Sequence, residues 1–168
     1  MEILIIAVLI VLNGMFDLSE LALVSASRTK LESRSNAGHR GASMALRLLK
    51  NPESFLSAIQ IGITLIGIVS GAYGGIQLSD DLTAFLLQFE IIRPIAGKLA
   101  LVCVVSIITY FSIVIGELVP KTFALSNPEK IAEIMVPVIF VLTKTAYPVV
   151  AFLSLSTRVI LKLLCLGS

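Results

Sequence analysis

The stretch Asn13-Gly14-Met15-Phe16-Asp17-Leu18-Ser19-Glu20 lies inside an otherwise apolar run from Ile3 to Val24, and its reading decides the fold. The run is long enough to cross a hydrocarbon core, which takes about 20 helical residues at ~1.5 Å each. At 100° per residue, Asn13, Asp17 and Glu20 fall within an arc of roughly 60°, one polar stripe on an apolar helix. A charge near the bilayer centre costs roughly 2.5–3.5 kcal/mol even on the lenient insertion scale, so such residues turn to a protein interior or an aqueous cavity. The stripe therefore marks a candidate cation site. With Ile3 at the hydrocarbon edge, Asn13 lies about 15 Å deep, and Asp17 and Glu20 come progressively nearer the far side.

The composition agrees. Of 168 residues, 57% are hydrophobic and 14% charged, and the mean hydropathy is +0.98, whereas a soluble domain carries about a quarter charged residues. This predicts an all-α integral membrane domain in contact with the lipid bilayer. No long basic run points to nucleic acid. Cys103 and Cys165 belong to no metal-ligand spacing and read as small apolar residues. The apolar run follows Met1-Glu2 without a basic n-region, so a retained span is expected rather than a cleaved leader.

Beyond residues 1–26, the first span, residues 27–50 carry Arg28, Lys30, Arg34, Arg40, Arg47 and Lys50 against the single acid Glu32. The positive-inside bias places them in the cytoplasm and the N-terminus outside. Their apolar residues suit juxtamembrane helices on the membrane surface, broken near Asn36-Ala37-Gly38. Attraction to phospholipid accounts for the charge. His39, the sole histidine, reads as a surface residue.

Asn51-Pro52-Glu53 opens a second span over residues 52–76, with Gln60, Thr64, Gly67, Gly71 and Gly74 on one stripe. Gly67 and Gly71 have the small-xxx-small spacing that lets helices approach closely, either within the chain or between copies. Residues 77–97, with Asp80, Asp81 and Glu90 against Arg93, read as an outer loop holding an interfacial or re-entrant piece, Leu82 to Phe89.

A third span covers 98–120. Ser106, Tyr110 and Glu117 share an arc of roughly 40° on it. Gly116 and Pro120 bracket Glu117, and a helix weakened on both sides can expose carbonyl oxygens beside the carboxylate. Over residues 128–167, Pro137, Lys144 and Pro148 interrupt an apolar segment with basic residues on both flanks. The expectation is a broken helical hairpin entered from and returning to the cytoplasm, then an amphipathic surface helix from Ser154 to Leu166 with Arg158 and Lys162 four apart. Three true spans result, a fourth across Ile131 to Leu155 being the alternative.

Asn13, Thr64 and Tyr110 come out near mid-membrane, with Glu20, Gln60 and Glu117 in the inner third and Asp17 between. This oxygen-rich set, without Cys or His, suits a hard cation such as Mg²⁺ or Ca²⁺ rather than zinc or copper. No nucleophile or metal-hydrolase motif accompanies it, so no enzyme is expected. A purely structural anchor would explain the spans but not the buried carboxylates.

Asn13-Gly14-Met15-Phe16 running into Ser19-Glu20-Leu21-Ala22-Leu23-Val24-Ser25, then Ile59-Gln60-Ile61-Gly62, then Gly116-Glu117-Leu118-Val119-Pro120-Lys121 together resemble the transmembrane domain of the CorC/CNNM family of Mg²⁺ transporters. The likeness covers essentially the whole chain. It implies a homodimer in the inner or plasma membrane with three transmembrane helices, an outside N-terminus, a cytoplasmic C-terminus and one Mg²⁺ site per protomer. It further implies following CBS modules that bind ATP and a small C-terminal domain, which makes this chain look like an excised membrane domain. By position, the family's first-helix ligand face falls on Asn13 and Asp17, with Glu20 one turn further, and its third-helix acid falls on Glu117. Gln60, Thr64 and Gly116 complete the expected ligand set, and Tyr110, Pro120, Lys121, Gly67 and Gly71 are assigned to structure and gating. Many relatives have small hydroxyl residues at the positions of Asn13 and Asp17, and Asn at that of Ile63. The stretch Ile59 to Gly75 looks closer to the haemolysin-like branch, some of whose members are linked to polyamine export. The expected function is Mg²⁺ transport, in the export direction; the alternatives are export of putrescine- or cadaverine-like cations and a membrane anchor or assembly module.

Overall fold

A computed structural model describes residues 1–163, apart from the side chains at 146, 154, 158 and 160–163. Cys165, the end of the expected surface helix and its Arg158–Lys162 pairing fall outside what is described. Among the described residues all regular structure is helical: α1 (Glu2–Ser25), α2 (Arg28–Asn36), α3 (Arg40–Leu48), α4 (Pro52–Leu86), a 3₁₀ turn (Arg93–Ile95), α5 (Ala96–Ile113), a π turn (Val114–Leu118), α6 (Val119–Ser126) and α7 (Pro128–Leu163).

Three stretches are long and apolar enough to cross a membrane: Glu2–Ser25, Pro52–Leu86 and Arg93–Ser126. Only 28%, 22% and 17% of their most apolar windows is buried inside the chain, which leaves most of that surface for lipid. The chain is a multi-pass membrane protein. Where a broken hairpin was expected, the last third is the helix α7, bent by 59° between Pro128–Thr145 and Tyr147–Thr157. Pro148 has no N–H to offer the Lys144 carbonyl, and its ring crowds the preceding turn, which is the physical cause of a kink there. Counted as one broken span, this pair makes four; otherwise there are three.

α4 departs from the expected boundary. It runs through residues 77–86, which sequence reading places in a loop, and reaches 35 residues, about 52 Å at 1.5 Å per residue. Ser79 and Thr83 return their hydroxyls to the Ile76 and Ser79 carbonyls, at 3.1 and 2.6 Å, so these polar residues stay helical instead of starting a turn.

The chain forms two compact units, and α1 and α4 contribute to both. The first contains Met1–Leu18 and Gly62–Ser126. Its core joins Ile6 and Ile10 of α1 to Val104 and Ile108 of α5, with Tyr73, Leu78 and Leu82 of α4 packed against them. Gly74 makes this possible, because a Cβ there would strike Ile108 and come within 3.0 Å of Ile6.

The second unit contains Ser19–Ile61 and the chain from Asn127 onward. Here α2 ends where expected. Gly38 adopts φ +92°, a conformation glycine enters without steric cost. The Gly38 N–H donates to the Ser35 carbonyl and the His39 N–H to the Arg34 carbonyl, the paired bonds of a Schellman cap. α3 then packs on α7, with a Cβ on Gly41 only 2.6 Å from the Glu133 carbonyl oxygen. Two acids one turn apart on α7 hold α2 and the start of α3. Glu129 accepts from the Ser27 N–H at 3.2 Å and lies 3.3 Å from Lys30 Nζ. Glu133 takes the Arg34 guanidinium in a fork, with His39 Nδ1 3.7 Å away. The hydrogen bond to Glu133 holds the Arg34 pKa above its ordinary value, so Arg34 stays charged at any physiological pH.

Candidate cation site

The first unit brings together Asn13 and Asp17 of α1 with Gly116, Glu117, Pro120 and Lys121. Local chemistry explains why. Pro120 stands four residues after Gly116 and has no N–H, so the α-helical bond to the Gly116 carbonyl cannot form. The helix accommodates this with the π turn at Val114–Leu118, a distortion often found at functional sites. The freed Gly116 carbonyl accepts from Asn13 Nδ2 at 3.1 Å. Gly14 allows the approach: a Cβ there would lie 2.9 Å from Pro120 Cγ and 3.0 Å from the Ile115 carbonyl oxygen.

The same Asn13 Nδ2 donates to Asp17 Oδ2 at 3.2 Å. Both partners are acceptors, which fixes the amide with its NH₂ toward them. Among the described residues Asn13 Oδ1 is left buried with no donor. On the other side of Asp17, Lys121 Nζ lies 3.3 Å from Oδ1 and donates to Glu117 Oε1 at 2.7 Å. Asp17 is only 5% exposed, whereas the Glu117 and Lys121 side chains are 46% and 37% exposed, so the cluster is closed at Asp17 and open at Glu117.

The donor set is one amide oxygen without a partner, one freed carbonyl and two carboxylates, all hard oxygen ligands with one ammonium among them. Such a set fits a hard cation. Among the described residues no group of three or more His, Cys, Asp or Glu could by itself hold a metal ion. That does not conflict with Mg²⁺, which keeps several waters and is usually held through one or two carboxylates.

The remaining expected residues are placed elsewhere. Glu20 and Gln60 line an open cavity of about 650 Å³ in the second unit, where Glu53, Ser57 and Thr157 join them. Glu53 was readable in sequence only as a first-turn acid at the start of the second span. Thr64 is exposed on α4. Tyr110 is 62% exposed and stacks edge-to-face on Phe111 at 5.5 Å. The projection that put Tyr110 beside Glu117 assumes 100° per residue, and the π turn between them breaks that register. At Gly67 and Gly71 a Cβ would meet nothing of the described chain within 4 Å. Gly14 and the Glu129–Glu133 pair were not singled out by sequence reasoning; the proximity of Gly14 to Asn13 and Asp17 on a close-packed face was the available signal for the first.

Residues 4–168 match the Cyclin M transmembrane N-terminal domain, the CNNM family. The UPF0053 protein sll0260 of Synechocystis sp. is 46% identical over 163 residues, 97% of this chain and 36% of that protein. The UPF0053 protein YrkA of Bacillus subtilis is 29% identical over 162 residues, 96% of this chain and 37% of its own length. A Haemophilus influenzae protein named polyamine export protein is 29% identical over 133 residues, 77% of this chain and 30% of that protein. The chain thus spans about a third of the length of the curated relatives it matches. With its apolar helices, its distorted third span and this match over nearly every residue, the chain belongs to the CNNM family as its transmembrane domain.

Proposed function

We propose that this domain moves a cation across the membrane and that Mg²⁺ is its cargo, in the export direction. The observation that carries the reading is the buried Asn13 Oδ1, an acceptor with no donor among the described residues, on the side chain whose Nδ2 ties the Asp17 carboxylate to the Gly116 carbonyl. A buried polar atom without a partner costs about 1–3 kcal/mol, a penalty that a bound cation would remove. Asn13, Asp17, Gly116 and Glu117 would hold the ion with water completing its octahedron, and Glu20, Gln60 and Glu53 would draw cations into the cavity they line. The basic residues of α2 and α3 support a cytoplasmic placement of those helices and filling of the site from inside. The Gly67 and Gly71 face is proposed as the contact with a second copy in a homodimer. Regulation by ATP through CBS modules belongs to the same proposal and concerns the longer chains of the family.

Isothermal titration with Mg²⁺ tests this. Asp17→Asn and Glu117→Gln are expected to weaken binding relative to the parent, and unchanged affinity in both would remove the assignment.

A second reading, export of a polyamine, is favoured by one feature: an alkylammonium, that of Lys121, already bridges the two carboxylates. The name of the Haemophilus influenzae relative points the same way. Putrescine or cadaverine should then raise the unfolding temperature where Mg²⁺ does not; no response to either diamine excludes the reading.

A further inference from the structure

We propose that Lys121 is a tethered counter-cation: its ammonium occupies the cluster in the cargo-free domain and must be displaced when a cargo cation enters. The inference rests on the cation-site reading above and assigns Lys121 control of affinity and release. The ammonium lies 2.7 Å from Glu117 Oε1 and 3.3 Å from Asp17 Oδ1, bridging a carboxylate of α1 to one on the π turn. Asp17 is almost fully buried within a span. A carboxylate there without an opposite charge is strongly disfavoured, so the cargo-free state needs a cation of its own.

Lysine is suited to supplying one that can leave. Its charge is a compact point on a flexible four-carbon stem, and this side chain is 37% exposed, on the open side of the cluster. With the ammonium in place, two carboxylates and one cation leave a single negative charge, and a dication entering beside Lys121 meets like charge. Displacing the ammonium opens both carboxylates to the cargo; its return helps expel the ion. Transport needs binding that is strong enough to load and weak enough to release, and an intramolecular competitor provides the second half.

The ordinary alternative is that Lys121 only positions Glu117, as lysines four residues along a helix often do. The two differ in sign. If Lys121 positions Glu117, removing its charge weakens cation binding; if it competes, removal strengthens it.

Mg²⁺ titration of the full-length chain in lipid nanodiscs separates them. Lys121→Met keeps the stem without the charge and is expected to bind roughly tenfold tighter, the size of one charge-assisted hydrogen bond. Lys121→Arg keeps the charge and is expected to stay near the parent. Equal or weaker binding by the Met variant overturns the proposal. Asp17→Asn guards the underlying reading: unchanged affinity there removes the site itself, whatever the lysine does. Lys121→Ala adds an arm that does not depend on the Met variant folding. Truncation leaves room for n-propylammonium, the fragment lost beyond Cβ, which is expected to compete with Mg²⁺ in the Ala variant and not in the parent. Absence of that competition also overturns the proposal.

Discussion

Asn13 donates to the Gly116 carbonyl at 3.1 Å, giving that oxygen the partner that Pro120, one turn along, cannot supply. A side chain of one helix thereby repairs the backbone of another, and the repair leaves the amide oxygen of Asn13 without a donor. Replacing Asn13 by Ala removes the donor shared by Asp17 and Gly116. The expected result is a loss of about 1–3 kcal/mol of stability together with weakened Mg²⁺ binding, read by thermal unfolding and by titration of the same sample.

Pro120→Ala should separate these two effects. It restores an N–H opposite the Gly116 carbonyl, so the π turn can relax to an α-helix. Stability is expected to hold or rise while cation affinity falls, and unchanged affinity would show that the distortion plays no part in binding.

Glycines of equal helix propensity should answer differently to the same methyl group. Gly14→Ala forces a Cβ against Pro120 and the Ile115 carbonyl and is expected to cost about 1–3 kcal/mol. Gly67→Ala and Gly71→Ala meet nothing in the described chain, and each should gain up to about 1 kcal/mol in helix propensity. Gly67→Leu is expected to leave the protomer folded and weaken self-association, measured by crosslinking or single-molecule photobleaching in nanodiscs.

Gly41→Ala tests the second unit. Its Cβ would fall 2.6 Å from a backbone oxygen of α7, which cannot swing aside as a side chain can. Separation of α3 from α7, at a cost of about 1–3 kcal/mol, should appear as faster amide exchange over residues 40–48.

The spans were legible in the sequence because long apolar runs have few other uses, and Gly38 marked the break between α2 and α3 because a positive φ favours glycine. The bracketing of Glu117 by Gly116 and Pro120 announced a disturbed helix. What the sequence concealed has three physical sources. The π turn shifts the register on which the placement of Tyr110 depended. Hydroxyl-to-carbonyl bonds at Ser79 and Thr83 keep α4 helical through residues that resemble a loop. The partnerships of Glu129 with Ser27 and Lys30, and of Glu133 with Arg34, join residues about a hundred positions apart, and periodicity carries no information at that range.

The length of α4 has a practical consequence for watching the domain in a cell. A hydrocarbon core hides about 20 helical residues, and α4 has 35; its final turns, with Asp80 and Asp81 exposed and Leu78 and Leu82 braced on the core of the first unit, form a rigid mast instead of a loose loop. A reporter cysteine on that mast would have a fixed height and bearing. Labelled from one side of intact cells, it gives the domain's topology directly, and paired with a second dye it becomes a ruler for whatever rocking accompanies transport.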